Sequence, residues 1–273
     1  MADTQLIFFP AGPDRAAAIA AGFRFGHIGT HTSRTIMMAD LTGALAAVPA
    51  SGKSDTYKTA IVYDNCLGKE TVSTRRLTLQ RLRELYALDP FVPIFRILRR
   101  LWDIDSEGRP LLALLCSLAR DPLLLATAEA VISLPEGAEF QRSAMRARLA
   151  TTVDGRLNES TLNKVVRNAA SSWSQAGHLA GRTFKFRRGV RATPASVAFA
   201  LYLARVAGFP GKEGLTTGWV KVLDCNASSA LELAVTAKRL GLVDLRMAGD
   251  VLELNLDRLD PYFPAIPAAA RAR

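Results

Sequence analysis

Between Val72 and Leu149 apolar residues recur at the three- and four-residue spacing of an α-helix, and proline-containing breaks cut the run into helix-sized pieces. A chain patterned this way buries its apolar stripes helix against helix. Leu77, Leu79, Leu82, Leu85, Tyr86 and Leu88 share one such pattern, with Arg75, Arg76, Arg81 and Arg83 on the remaining positions. Asp89-Pro90 ends it, because the residue before a proline is pushed out of helical backbone. Phe91, Ile94, Phe95, Leu98, Leu101 and Trp102 repeat the pattern, and residues 111–119, 123–134 and 140–149 complete it. Upstream, residues 34–48, with Ser33 as N-cap, and residues 55–67, closed by Gly68, read as two more helices. Almost nothing before residue 150 alternates as a strand does. The spacing predicts a mainly α protein whose residues 1–150 form a helical bundle, since short connections favour antiparallel neighbours.

The second half has a different grammar. Asn158 and Ser160 are both suitable N-caps for a helix that runs to about Ala176 and stops at Gly177. At about 100° per residue, Leu162, Val165, Val166, Ala169, Ala170, Trp173 and Ala176 share one arc. Thr161, Asn163, Lys164, Arg167, Asn168, Ser171, Ser172, Ser174 and Gln175 fill the other. Such a helix docks by one face and leaves the other free. In Arg182-Thr-Phe-Lys-Phe-Arg-Arg188, Phe184 and Phe186 alternate with polar residues, which predicts a strand that lays its rings on a core, with a turn at Gly189. Helix, turn near Gly181 and basic hairpin is the order of a winged helix, so residues 151–194 are expected to form a winged-helix-like module. In residues 195–264 an apolar helix over 196–206 precedes a second helix, 228–240, and a hairpin of 242–247 and 251–256 turning over Ala248-Gly249-Asp250. Residues 265–273 are rich in small residues and are expected to fray.

Charge singles out the same segment. The chain carries 35 Lys and Arg against 25 Asp and Glu, a net of +10. Residues 151–205 hold nine of the basic and two of the acidic groups, whereas residues 1–68 and 206–273 are each neutral. A surplus so concentrated attracts a polyanion as one patch. The candidate contacts are Thr161, Asn163, Lys164, Arg167, Asn168 and Ser171 at a groove, with Arg182, Lys185, Arg187, Arg188 and Arg191 on phosphates. The expected partner is double-stranded DNA. An assembly subunit that meets an acidic protein, and RNA binding by Arg75, Arg76, Arg96, Arg99 and Arg100 of the bundle, are the alternatives.

Catalytic and cofactor signatures are lacking. Ser51-Gly-Lys-Ser54 matches only the end of a phosphate-binding loop, and Ala47 stands where its first glycine belongs. His27-Ile-Gly-Thr-His31 is one residue longer than a nucleotide-binding HxGH, and reads as a loop or solvent-facing pair. No metal ligand set and no nucleophile elbow is spelled out, so no enzyme, cofactor or metal is expected. Cys66, Cys116 and Cys225 are far apart, which fits a reducing cytoplasm. The first residues lack the basic and long apolar regions of an export signal. The apolar stretch 110–134 is cut by Arg120-Asp121-Pro122 into two pieces too short to span a membrane.

A set of landmarks also resembles a known family. Ser33-Arg34 before the first helix, Ser73-Thr74-Arg75-Arg76, Leu101-Trp102-Asp103, and Asn158-Glu-Ser-Thr161 leading to Trp173 and Gly177 resemble the BrxA family of bacteriophage-exclusion (BREX) systems over residues 33–210. The resemblance implies a mostly helical DNA-binding protein with a bundle like that of the antitermination factor NusB, acting beside a methyltransferase and other defence components. The chain departs from that pattern by continuing past residue 210 with the second helix and hairpin.

Overall fold

The computed structural model describes residues 6–12, 15–248 and 251–260, a mainly helical chain with two small antiparallel sheets. Its first half carries α1 (Ala16–Ala21), α2 (Met38–Ala47), α3 (Ser54–Lys58), α4 (Val72–Tyr86), α5 (Pro93–Ile104), α6 (Arg109–Arg120), α7 (Pro122–Leu125), α8 (Ala128–Ile132) and α9 (Arg142–Val153). The second half carries α10 (Glu159–Gln175), strands β1 (Leu179–Ala180) and β2 (Phe186–Arg187), α11 (Pro194–Ala207), α12 (Gly218–Lys221), α13 (Ala227–Arg239) and strands β3 (Asp244–Ala248) and β4 (Val251–Asn255). β3 and β4 pair from Asp244↔Asn255 to Ala248↔Val251. The expected fraying of residues 265–273, and the turn residues Gly249 and Asp250, lie outside the described residues.

α6 runs through the interior of the fold. Every residue from Leu111 to Arg120 is buried, and α4, α5 and α11 pack on it. Asp105 fixes where it starts: its carboxylate accepts from the Gly108 amide at 2.9 Å and from the Thr193 hydroxyl at 2.5 Å. Thr193 and Ser196 form a reciprocal capping box, so one carboxylate links the beginnings of α6 and α11. α11 is buried on nearly every side, and one hydrophobic cluster runs from Phe8 to Leu259 through residues of every helix named above and of β1, β3 and β4.

The second half of the apolar stretch bends at Asp121-Pro122. α6 and the α7–α8 pair meet at 109°, and no single helix among the described residues is long and apolar enough to cross a membrane. Two helix starts differ from expectation. Residues 33–37 are not helical, and α2 begins after Met37, which takes a left-handed backbone (φ 51°). The reason is that the amides of Ile36 and Met38 bond to side chains of α10 instead. Phe91, placed in the core by its spacing, is 78% exposed, because α5 begins only at Pro93.

The first and last described segments are tied in by unlike means. Near the start, Phe8, Phe9 and Phe23 set their rings edge-on to Trp219 at centroid distances of 5.0, 5.9 and 5.5 Å. The Trp219 indole donates to the Phe8 carbonyl at 2.8 Å. Near the end, Arg96 of α5 holds both oxygens of Asp260, at 2.7 and 2.6 Å. Trp219 is fully buried, so Trp219→Ala is expected to lower unfolding free energy by about 3–5 kcal/mol in urea titrations.

Candidate nucleic-acid interface

Packing divides the polar arc of α10 into two stripes. Asn158 caps the helix, accepting from the Thr161 amide at 2.8 Å, and Leu162, Val165, Val166, Ala169, Ala170 and Trp173 are buried. Asn168, Ser172 and Gln175 form the first polar stripe, and they meet the segment 31–38 instead of solvent. The Asn168 amide donates to the His31 carbonyl at 2.8 Å. Ser172 Oγ accepts from the Ile36 amide at 2.9 Å, and Gln175 Oε1 accepts from the Met38 amide at 3.1 Å. The expectation that the whole polar arc is free is therefore corrected, and Asn168 is withdrawn as a groove contact.

Lys164, Arg167, Ser171 and Ser174 form the second stripe, spaced three and four residues apart so that they line one side of the helix. Lys164, Arg167 and Asn163 are exposed, and Thr161 and Ser171 are half-buried. The Lys185 ammonium donates to Ser174 Oγ at 2.8 Å, which seats the β1–β2 ribbon at the end of this stripe. Across a cleft of about 260 Å³, Lys185 shares the lining with Arg142, Ser143, Thr183, Phe184 and Glu139. Burial, and then the Arg142 charge, push the Lys185 ammonium below its ordinary pKa. Lys164, Arg167, Arg142, Arg182 and Lys185 have no ion pair among the described residues.

The ribbon itself departs from expectation in register and in turn. β1 and β2 pair Leu179↔Arg187 and Ala180↔Phe186, so the turn spans residues 181–185 and not Gly189. Gly181 is required there: its φ is +111°, and a Cβ would lie 2.0 Å from the Phe184 carbonyl oxygen. The strand also has the opposite face inward. Phe184 is 65% and Phe186 43% exposed, whereas Arg187 is 3% exposed. The Arg187 guanidinium pairs with Asp224, and its Nε donates to the Val131 carbonyl at 3.1 Å. What lies beneath the ribbon is a carboxylate and carbonyl groups, so the arginine goes in and the rings go out. Arg187 is thus withdrawn as a phosphate contact. Arg182, Arg188 and Arg191 are exposed, but Arg188 lines a cleft that also holds Glu136, and the amides of Gly189 and Val190 bond to Glu136 and Asp224. The acids make that end of the ribbon less cationic than the α10 stripe.

Among the bundle arginines proposed for RNA, four of five are committed to the fold. Arg75 bonds the carbonyls of Lys69 and Val62, Arg96 bonds Asp260, Arg99 bonds Asp103 and the Val48 carbonyl, and Arg100 bonds the carbonyls of Arg258 and Leu259. Only Arg76 of that set is both exposed and without such a bond among the described residues.

The histidines also part company. His27 is exposed, whereas His31 is fully buried, with Nδ1 2.8 Å from Asp121 Oδ2 and Nε2 2.8 Å from Ser172 Oγ. Asp, His and Ser stand in the order of a hydrolytic triad. Yet Ser172 Oγ is surrounded by His31, the Ile36 amide and the Asn168 carbonyl, and its residue is 0% exposed. The same atoms act as a tie between α10, the 27–38 segment and the start of α7. Among the described residues no three His, Cys, Asp or Glu side chains converge as a metal site.

No protein-family model matches the chain, and no curated protein matches it.

Arg142 was outside the charge-rich window because it precedes residue 150. The signal that could have found it is the basic trio Arg142, Arg146 and Arg148 on the helix immediately before α10. Two consequences are measurable. Asp121→Ala leaves the buried His31 ring without its partner and strips the cap of α7, and is expected to cost about 3–5 kcal/mol in chemical denaturation. The second concerns His178, which is fully buried and donates from Nε2 to the Val222 carbonyl at 2.7 Å. Burial lowers its pKa from 6.5 to about 4. Between those values the unfolded chain binds a proton that the folded chain does not, so stability falls as pH falls through that window. Urea midpoints from pH 7 to pH 4.5 should decline in the wild type and decline less in His178→Gln.

Proposed function

We propose that the protein binds double-stranded DNA without catalysis, through the exposed stripe of α10 and the β1–β2 ribbon acting together as a winged-helix-like module. The observation that carries this reading is the continuity of unpaired cations from Lys164 and Arg167 on α10 to Lys185 on the ribbon and Arg142 on α9. Such a strip follows a phosphate backbone, whose binding depends on charge and only weakly on sequence. Asn163 stands on the same exposed side and offers an amide to base edges. The exposed ring of Phe184 gives an apolar contact for a sugar or an opened base step beside the phosphate seats. A place in a BREX-type phage-exclusion system is supported by the resemblance of residues 33–210 to BrxA, and genes next to its own that encode a methyltransferase and defence components would bear on it.

If about five phosphates are neutralised, log K should fall with log salt at a slope near −4 to −5, read by fluorescence anisotropy with random duplexes. Lys164→Glu with Arg167→Glu should weaken every duplex at least about tenfold and make that slope shallower by about 2. Unchanged affinity and slope in this variant would remove the α10 interface. An acidic protein partner in place of DNA predicts no gel shift by the purified chain at low salt.

A further inference from the structure

A second cationic recess lies elsewhere, where α4 and the end of α6 meet residues 22–24. It encloses about 350 Å³ over the apolar side chain of Leu79, and Arg24, Arg76, Arg83 and Arg120 line it. None of these four guanidinium groups has an ion pair among the described residues. The carboxylate in the lining, Glu84, is already engaged: it accepts from Arg81 at 2.7 Å, the Thr30 hydroxyl at 2.9 Å and the Gln80 amide at 3.0 Å. Four positive charges therefore face one recess against a single negative charge that other donors hold.

The inner arginines are placed by backbone, which leaves donors over. Arg120 is 9% exposed and gives one N–H each to the carbonyls of Gly22, Glu84 and Arg83, so two of a guanidinium's five donors stay unused among the described residues. Arg83 bonds Ser54 through Nη2, while its Nε is buried without a hydrogen-bond partner among the described residues. Burial, and beyond it the charge of Arg24, holds the Arg120 pKa down to about 10, as befits a cation kept from water without a counter-ion. Arg24 and Arg76 are exposed and stand at the rim.

We infer that this recess binds a small phosphorylated anion, with Arg24 and Arg76 closing on it from the rim and Arg83 and Arg120 meeting it from within. Guanidinium forks match phosphoryl oxygens two by two, and the excess of charge exceeds what one carboxylate neutralises. Arg83 and Arg120 are more buried than Arg24 and Arg76, which favours a small anion over a duplex backbone as the occupant. The inference is independent of the DNA interface, which uses other residues.

Inorganic pyrophosphate is the probe, titrated calorimetrically into the full chain in low-chloride buffer. Saturable binding at one site is expected, weakened at least about tenfold in Arg24→Ala with Arg76→Ala and unchanged in Lys164→Ala with Arg167→Ala. Arg76→Ala alone, which removes no hydrogen bond among the described residues, should weaken binding in the same direction and guards against a misfolded double variant. Absence of saturable heat with the wild type, equal affinity in the rim variants, or an equal loss in the α10 variant would each overturn the inference.

Discussion

The carboxylate of Asp121 accepts the amides of Leu123 and Leu124 on one oxygen and the amide and Nδ1 of His31 on the other. Since His31 also touches Ser172 of α10, one ionised group holds the break after α6, the segment before α2 and the helix with the exposed cationic stripe. A carboxylate this deeply buried is tolerated only when its lone pairs are filled, and these are. Burial acts to raise its pKa, but the His31 charge and these hydrogen bonds prevail and hold it below the usual range. Gly29 completes the arrangement, since a Cβ there would sit 2.0 Å from the carboxylate.

That hub explains which parts of the architecture were legible in sequence. Local rules were enough for α10, whose cap, stop and apolar arc follow from residues 158–177 alone, and for the bend at Asp121-Pro122. They were not enough for His31, whose partners lie 90 and 141 residues away. A polar arc on a helix surface reads the same whether water or another segment's amides will meet it. Asn168 and Ser172 were therefore indistinguishable from Lys164 and Arg167 until the 31–38 segment was in place. Likewise, alternation in residues 182–188 marks two faces but does not say which faces inward, and the carboxylate of Asp224 decided in favour of Arg187.

The arginines thus fall into two groups by what the fold asks of them. Arg96, Arg99, Arg100 and Arg187 satisfy carbonyls and carboxylates inside the structure, and their charge is neutralised or shielded there. Arg167 and Arg142, like Lys164, have no ion pair among the described residues. The net charge of +10 accordingly overstates the cationic surface near any one point, and the unpaired positions locate it better than segment totals do.

The tie between Trp219 and Phe8 spans 211 positions along the chain. During synthesis the N-terminal phenylalanines leave the ribosome long before the indole that covers them exists. Until then Phe8, Phe9 and Phe23 lack the ring they pack against, a sticky patch on a nascent chain. A contact between positions so far apart in sequence carries a large loop-closure entropy, which the packing of these rings has to offset.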